Sequence, residues 1–332
     1  MNFKKHQEGW YAMATTKELR RKKPVRRFLL GTPIVLFQGT DGPAAMVDRC
    51  PHRGAALSEG CVKNGNIQCP YHGWTFSEDG KLDGIPCLPG DSPPVKVQSF
   101  KTCTQFGLVF VRLGDSPERP YKNPLNKTVK FWRAMPGGAN CGLVEAAENF
   151  LDPTHTVFVH KQLFYSVKNK TPTRVVGHGN DNMAEINYYG AGDPGGLIGK
   201  VMGEKERSKS VGRFIAPSIA EVEFHGPKGV NFITTGFITP ANLGTVEGYG
   251  VIGLPGPLWW AWIKFILLYP WIKLVYGQDR NALGSLTKNR AHFPAHKNII
   301  GPLDVMRRQI EAITSGHPPP AKDKPFETEM NL

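Results

Sequence analysis

The sequence predicts an α+β chain: a small all-β domain followed by a larger domain in which helices are segregated from an antiparallel sheet. Three observations lead there. Residues 26–112 break every few positions at Gly, Pro, Asn and Asp into short β-rich runs. Residues 141–330 combine a helical opening, later β-rich runs and an apolar helical stretch. The 332 residues are about two domains at roughly 150 residues each, and 37 Gly with 28 Pro suit turns and short strands better than long helices.

Taken in order, Val25 to Leu30 and Ile34 to Phe37 are β-rich runs separated by Gly31-Thr32-Pro33. A turn at Thr40-Asp41-Gly42-Pro43 precedes Ala44 to Val47, and Leu108 to Val111 reads as a closing strand. This sets a first domain at 9–115. Residues 116–140, rich in Pro and Gly, read as a linker, and 141–332 as the second domain. There the pattern predicts a helix near 145–164, strands at Glu221 to Phe224 and Val230 to Ile238, and helices at 258–276, 278–290 and 303–314. No internal repeat or P-loop is present.

The net charge is +13, and residues 1–27 hold nine Lys/Arg against two Glu, concentrated in Lys17 to Arg27. A solvated basic face or steering of an acidic electron-transfer partner accounts for that run. No nucleic-acid motif accompanies it. The start, MNFKKHQEGWY, lacks the apolar core of a secretory signal. A cytoplasmic location is therefore expected, where cysteine clusters mean metal or redox chemistry more often than disulfides. Residues 257–276 are apolar and Trp-rich but carry Lys264, Lys273 and Pro270. They read as a buried or substrate-lining helix, with Trp259, Ile263, Ile266 and Leu267 on one face. Membrane contact is the less favoured alternative.

Two constellations carry chemistry. Cys50-Pro51-His52 and Cys69-Pro70-Tyr71-His72 put two metal ligands on each of two tight loops. Zinc accepts such a Cys2His2 set; so does a Rieske [2Fe–2S] cluster, with two Cys on one iron and two His on the other. Further on, Glu148-Asn149-Phe150-Leu151-Asp152-Pro153-Thr154-His155 runs on to His160. Two His near a carboxylate suggest the facial triad of non-haem Fe(II). On a straight helix His155 and His160 would lie roughly 140° apart, so Pro153 must distort or break the helix for them to share an ion.

The texts CPHRGAALS and CPYHGWTF resemble the Rieske motif of ring-hydroxylating and related oxygenases. The second stretch resembles the mononuclear iron motif of the Rieske non-haem iron oxygenases, in the expected order, and the likeness is to the vanillate demethylase and phthalate oxygenase groups. The resemblance implies a Rieske domain followed by a helix-grip (START-like) catalytic domain. It implies that Cys50, His52, Cys69 and His72 hold a [2Fe–2S] cluster and that His155 and His160 bind iron. Asp279 is the implied third ligand, with Asp304 as competitor. Asp152 is implied to bridge His155 to His72 of a neighbouring subunit, with Asn149 beside the iron. A homotrimer, a separate reductase or ferredoxin and a small hydrophobic substrate are the implied partners. Monooxygenation is the expected reaction, with cis-dihydroxylation as alternative. An electron carrier without oxygen chemistry is the competing class, and the second motif speaks against it.

Overall fold

A computed structural model of the chain describes residues 8–20, 23–114, 119–161, 163, 172–190 and 209–331. Arg21 and Lys22 of the basic run, residue 115 of the expected first domain, residues 116–118 of the expected linker and the end of the helix expected to reach 164 lie outside the described residues, as do residues 1–7. The chain divides into two units: residues 8–120 with 239–243, and residues 121–238 with 244–332.

The N-terminal unit is all-β, as expected. Its strands form three small sheets, one of three strands and two of four. Gly9–Thr15 pairs with Leu108–Leu113, Val25–Leu29 with Thr32–Gln38, and Cys61–Lys63 with Asn66–Gln68, all antiparallel. One core gathers Tyr11, Met13, Leu19, Leu29, Leu36 and Val109. A second gathers Val35, Phe37, Met46, Leu57, Ile67 and Phe76 around Cys50 and Cys69.

The second unit is built on an eight-stranded sheet. Its spatial order is Phe131–Ala139, Thr245–Leu254, Gly229–Asn242, Ile219–Gly226, Lys209–Ile215, Met183–Tyr189, Pro172–Asn180 and Phe326–Asn331. The first of these strands corrects the linker reading. Phe131–Ala139 pairs along its whole length with Thr245–Leu254, so only the part of 116–140 before it connects the two units. The helices Leu143–Leu151 and Arg307–Thr314 pack on the sheet through Val144, Ala147, Leu151, Ile310 and Ile313. This is the helix-on-antiparallel-sheet arrangement that the sequence predicts.

Two further expectations change. The helices expected at 258–276 and 278–290 are one helix, Leu258–Ala291, with Pro270 inside it. A mid-helix glycine costs only about 1 kcal/mol, so Gly277 does not end it. Tyr276, just before that glycine, packs over Gly137 and Gly250, and a Cβ at Gly250 would run into its ring and hydroxyl. The face assignment also changes. Trp259, Ile263, Ile266 and Leu267 are exposed, and the sheet instead covers Ala261, Phe265, Leu268 and Ile272. A stretch that is apolar all round has no period of its own, so the sheet contact selects the buried stripe.

The sheet also carries a charged lattice. Arg213 sits opposite Glu185 on one neighbouring strand and Glu221 on the other. Its Nη1 donates to Glu223 at 2.6 Å and to Glu221 at 3.2 Å. Asn123 and Thr235 donate to the same buried carboxylates. Replacing Arg213 with Met leaves Glu221 and Glu223 buried without their counter-charge. Thermal or denaturant unfolding should show a loss of about 3–5 kcal/mol; a loss within experimental scatter would mean the lattice is incidental.

Candidate metal centres

Two loops of one design hold the first set of residues. Cys50 follows the strand Pro43–Val47, and its N–H donates to the Ala55 carbonyl while Gly54 N–H returns to the Cys50 carbonyl. Cys69 follows Asn66–Gln68 and repeats the pattern with Trp74 and Gly73. Each loop reverses through a left-handed glycine, Gly54 at φ 78° and Gly73 at φ 71°. The Cys50 and Cys69 side chains are buried and the imidazoles of His52 and His72 are exposed. The two rings meet edge to face at 4.6 Å, and His52 stacks on Trp74 at 4.7 Å. Burial, then the adjacent Cys69 thiol, push the Cys50 thiol up to about 11. A thiol raised in this way is a poor thiolate by itself, and a cationic group beside it reverses that.

The donor set suits a two-iron cluster better than one zinc ion. Among the described residues, the ligand atoms that gather within 4.8 Å of one another are those of His155, His160 and Asp279. At 50–72, two buried thiols and two exposed imidazoles match a cluster with two Cys on one iron and two His on the other. Sequence reasoning missed two supports of this site. Buried Asp48 accepts from Ser58 N–H at 2.7 Å and Ser58 Oγ at 2.6 Å, and pairs with Arg26 at 3.2 Å. The Gln68 amide donates to the Gly73 carbonyl at 3.3 Å.

The second site depends on the break at Pro153. The helix Leu143–Leu151 ends at Asp152, whose backbone is extended, and a short helix, Thr156–Val159, restarts after His155. Thr154 N–H and Oγ1 both donate to Asp152 Oδ1 at 2.7 Å, a turn that leaves Oδ2 facing His155 Nδ1 at 3.5 Å. The break brings the two rings to 5.2 Å, which a straight helix forbids. Asp279, on the long helix, puts a single oxygen, Oδ1, 3.3 Å from His155 Nε2 and 3.1 Å from His160 Nε2. Asp304 is exposed and closes a turn on Gly301 N–H instead. Asn149 hydrogen-bonds to Asp279.

The proton placement argues for a cation. His160 Nδ1 lies 2.8 Å from Gln278 Oε1, an acceptor, so Nδ1 carries the proton and Nε2 presents a lone pair. The neighbouring carboxylate Asp152 favours the same tautomer in His155. Two lone pairs and a carboxylate oxygen then converge, and among the described residues Asp279 Oδ1 and His155 Nδ1 are buried without well-aligned hydrogen bonds. A ferrous ion suits this set of two imidazoles and one carboxylate. Without a cation, a proton takes its part. Burial alone pushes the His155 imidazolium down, but Asp152 and Asp279 outweigh it and hold the group up at about 9. Burial likewise raises Asp279, and the two histidines reverse it to well below the usual carboxylate range.

The site opens on a cavity of about 280 Å³ between sheet and helices, walled by apolar side chains including Phe150, Phe224, Phe232, Leu268 and Ile272. Ser210 lines it as well, buried, with an Oγ that has no hydrogen-bond partner among the described residues. Gln278 and Ser210 are functional candidates that sequence reasoning did not single out. Gln278 had a weak signal in its position beside Asp279; Ser210 had none.

Three outcomes follow from this geometry. Because a cation must displace the proton held at about 9, Fe(II) or Co(II) affinity of the metal-free protein should fall about tenfold per unit as pH drops below that value. It should level off above it; calorimetric titration across neutral to alkaline pH reads this directly, and a flat profile contradicts the proton assignment. Gln278→Leu should weaken the metal about 10–100-fold by freeing the His160 tautomer, measured in the same titration. Ser210→Ala removes a buried hydroxyl with no partner among the described residues, so its melting temperature should hold or rise; a clear drop would reveal a structural role.

A Rieske [2Fe-2S] domain model matches residues 9–101. The chain is 34% identical over 164 residues to the oxygenase component of dicamba O-demethylase from Stenotrophomonas maltophilia, covering 46% of this chain and 47% of that protein. It is 31% identical over 174 residues to methylxanthine N1-demethylase NdmA from Pseudomonas putida, covering 49% and 50%. The chain thus spans about half the length of these curated relatives. Likeness of fold extends further. Dicamba monooxygenase bound to dicamba superposes with a TM-score of 0.72 at 21% identity, over 93% of this chain and 97% of that one. Pseudomonas putida NdmA with caffeine gives 0.74 at 20% identity, over 98% and 97%. The first unit therefore carries a Rieske [2Fe-2S] domain, and the two-unit fold, with a second set of iron-type ligands in order behind that domain, is the fold of dicamba monooxygenase and NdmA.

Proposed function

We propose that this chain is the terminal oxygenase component of a Rieske monooxygenase that hydroxylates or oxidatively demethylates an apolar, aromatic small molecule. The observation that carries the reading is the convergence of His155 Nε2, His160 Nε2 and Asp279 Oδ1 at the wall of an apolar cavity. Demethylases among the relatives support the reaction type. When bound, the cluster supplies single electrons and the mononuclear iron supplies O2 activation.

The chain's own residues set the conditions for that chemistry. Cys50, His52, Cys69 and His72 would hold the cluster; His155, His160 and Asp279 would hold the iron. Asn149 steadies Asp279 by hydrogen bonding, and Gln278 fixes the proton on His160 Nδ1. Asp152 Oδ2 faces His155 Nδ1 at 3.5 Å on one side and, in a homotrimer, would accept from His72 of a neighbouring subunit on the other. A carboxylate between two imidazoles fixes both tautomers and shortens the path between them. The apolar walls exclude water from the reacting substrate, and the Ser210 hydroxyl is placed to bond a polar group on it. A separate NAD(P)H-dependent reductase or ferredoxin supplies the electrons. None of the six cysteines, all among the described residues, is in a disulfide, which supports a cytoplasmic setting.

Iron analysis separates this from the electron-carrier reading: an oxygenase holds about three irons per chain and a carrier about two. Asp152→Asn should leave the visible spectrum of the cluster unchanged while substrate-dependent O2 consumption falls at least about 100-fold. Full turnover in that variant would remove Asp152 from the path. A diol product carrying both atoms of O2 would replace monooxygenation with dihydroxylation.

A further inference from the structure

We infer that the outer side of the helical segment from Leu258 to Val275 is a docking surface for an anionic lipid bilayer, lying in the plane of the membrane. On that side Leu258, Trp259, Trp262, Ile263, Ile266 and Leu267 are all between 41% and 66% exposed. Only 17% of the most apolar 18-residue window in this helix is buried. Soluble surfaces rarely carry an apolar patch of this extent without a partner.

The packing decides between lying on a membrane and crossing one. Ala261, Phe265, Leu268 and Ile272 form one stripe over three turns, held against Phe131, Met135, Ile252 and Leu254 of the sheet edge. A helix fixed to its own domain along that length is not surrounded by lipid. In-plane insertion of about 5–10 Å needs only the outer face. Lys264 and Lys273 agree with that depth. Their ammonium groups lie 5.8 Å from the Trp260 ring and 5.5 Å from the Tyr269 ring. Lysine beside Trp and Tyr is the pairing of an interface, where stems lie in the apolar layer and charges reach the headgroups.

Charge selects the occupant. From Pro257 to Gln278 the sequence has two lysines and no Asp or Glu, and the chain carries +13 overall. A second copy would set the same cations against each other with no acidic partner on the helix. An anionic bilayer accepts both the apolar face and the lysines. Leu268 and Ile272, on the inner face, also line the cavity, so lipid-facing surface and cavity wall are two sides of one element. The inference stands independently of the substrate class proposed above.

Flotation of the full-length, iron-loaded protein tests it, using vesicles of phosphatidylcholine alone and vesicles containing phosphatidylglycerol. The protein should float with the anionic vesicles, and its Trp emission should shift to the blue. W259E/I266E/L267E should lose at least about tenfold in vesicle affinity with iron content and melting temperature unchanged. K264E/K273E should lose the preference for anionic lipid. Failure of the parent to float with either vesicle overturns the inference, and so does flotation of the triple variant equal to the parent's. Concentration-dependent self-association that the triple variant abolishes, without vesicle binding, would assign the face to a second copy instead.

Discussion

Two imidazole lone pairs aimed at one carboxylate oxygen repel unless a cation or a proton lies between them, and the second unit is organised around that condition. Asp279 Oδ1 faces both His155 Nε2 and His160 Nε2 at just over 3 Å. To bring them together, the helix that starts at Leu143 must end at Asp152 and restart beyond Pro153, and the long helix must pass close enough to deliver Asp279. Tyr276 sets that approach, lying over Gly137 and Gly250 where no Cβ stands in its way. Packing on the sheet and ligand geometry are thus one constraint.

The same helix faces three environments. Its stripe at Ala261 and Leu268 is buried against the sheet, its later turns at Ile272 and Asp279 face the cavity and the metal ligands, and its outer side is apolar and open. A helix with polar residues outside would satisfy the first two alone. The outer tryptophans and leucines add nothing to the site, which is why they call for a surface of their own. The first unit divides its labour as well. Its cysteines are sealed in the core while its histidines stand at the surface beside exposed Tyr71, so the chemistry of the sulfur side is sheltered and the histidine side is reachable.

Much of the candidate site is legible in the sequence because its spacing is local. Cys50, His52, Cys69 and His72 lie on two tight loops whose glycines and prolines announce the turns. The Pro153 break is legible because proline lacks the donor that a continuing helix requires. Asp279 is legible only through resemblance, since 119 residues separate it from His160. Gln278 and Ser210 escape because their roles exist only where distant strands and helices meet, and neither residue type signals such a meeting.

By itself the sequence determined the order of the two units, the four residues of the first loop pair and the broken helix bearing His155 and His160; each follows from local backbone chemistry. Tertiary structure decided which carboxylate joins the histidines, where the sheet begins and which side of the apolar helix is buried. Asp279 and Asp304 are equal as carboxylates, and only the path of the long helix separates them. Residues 131–139 gain their strand partner from residues 246–254, more than a hundred positions on. A helix apolar on every side has no preferred face until a sheet takes one of them.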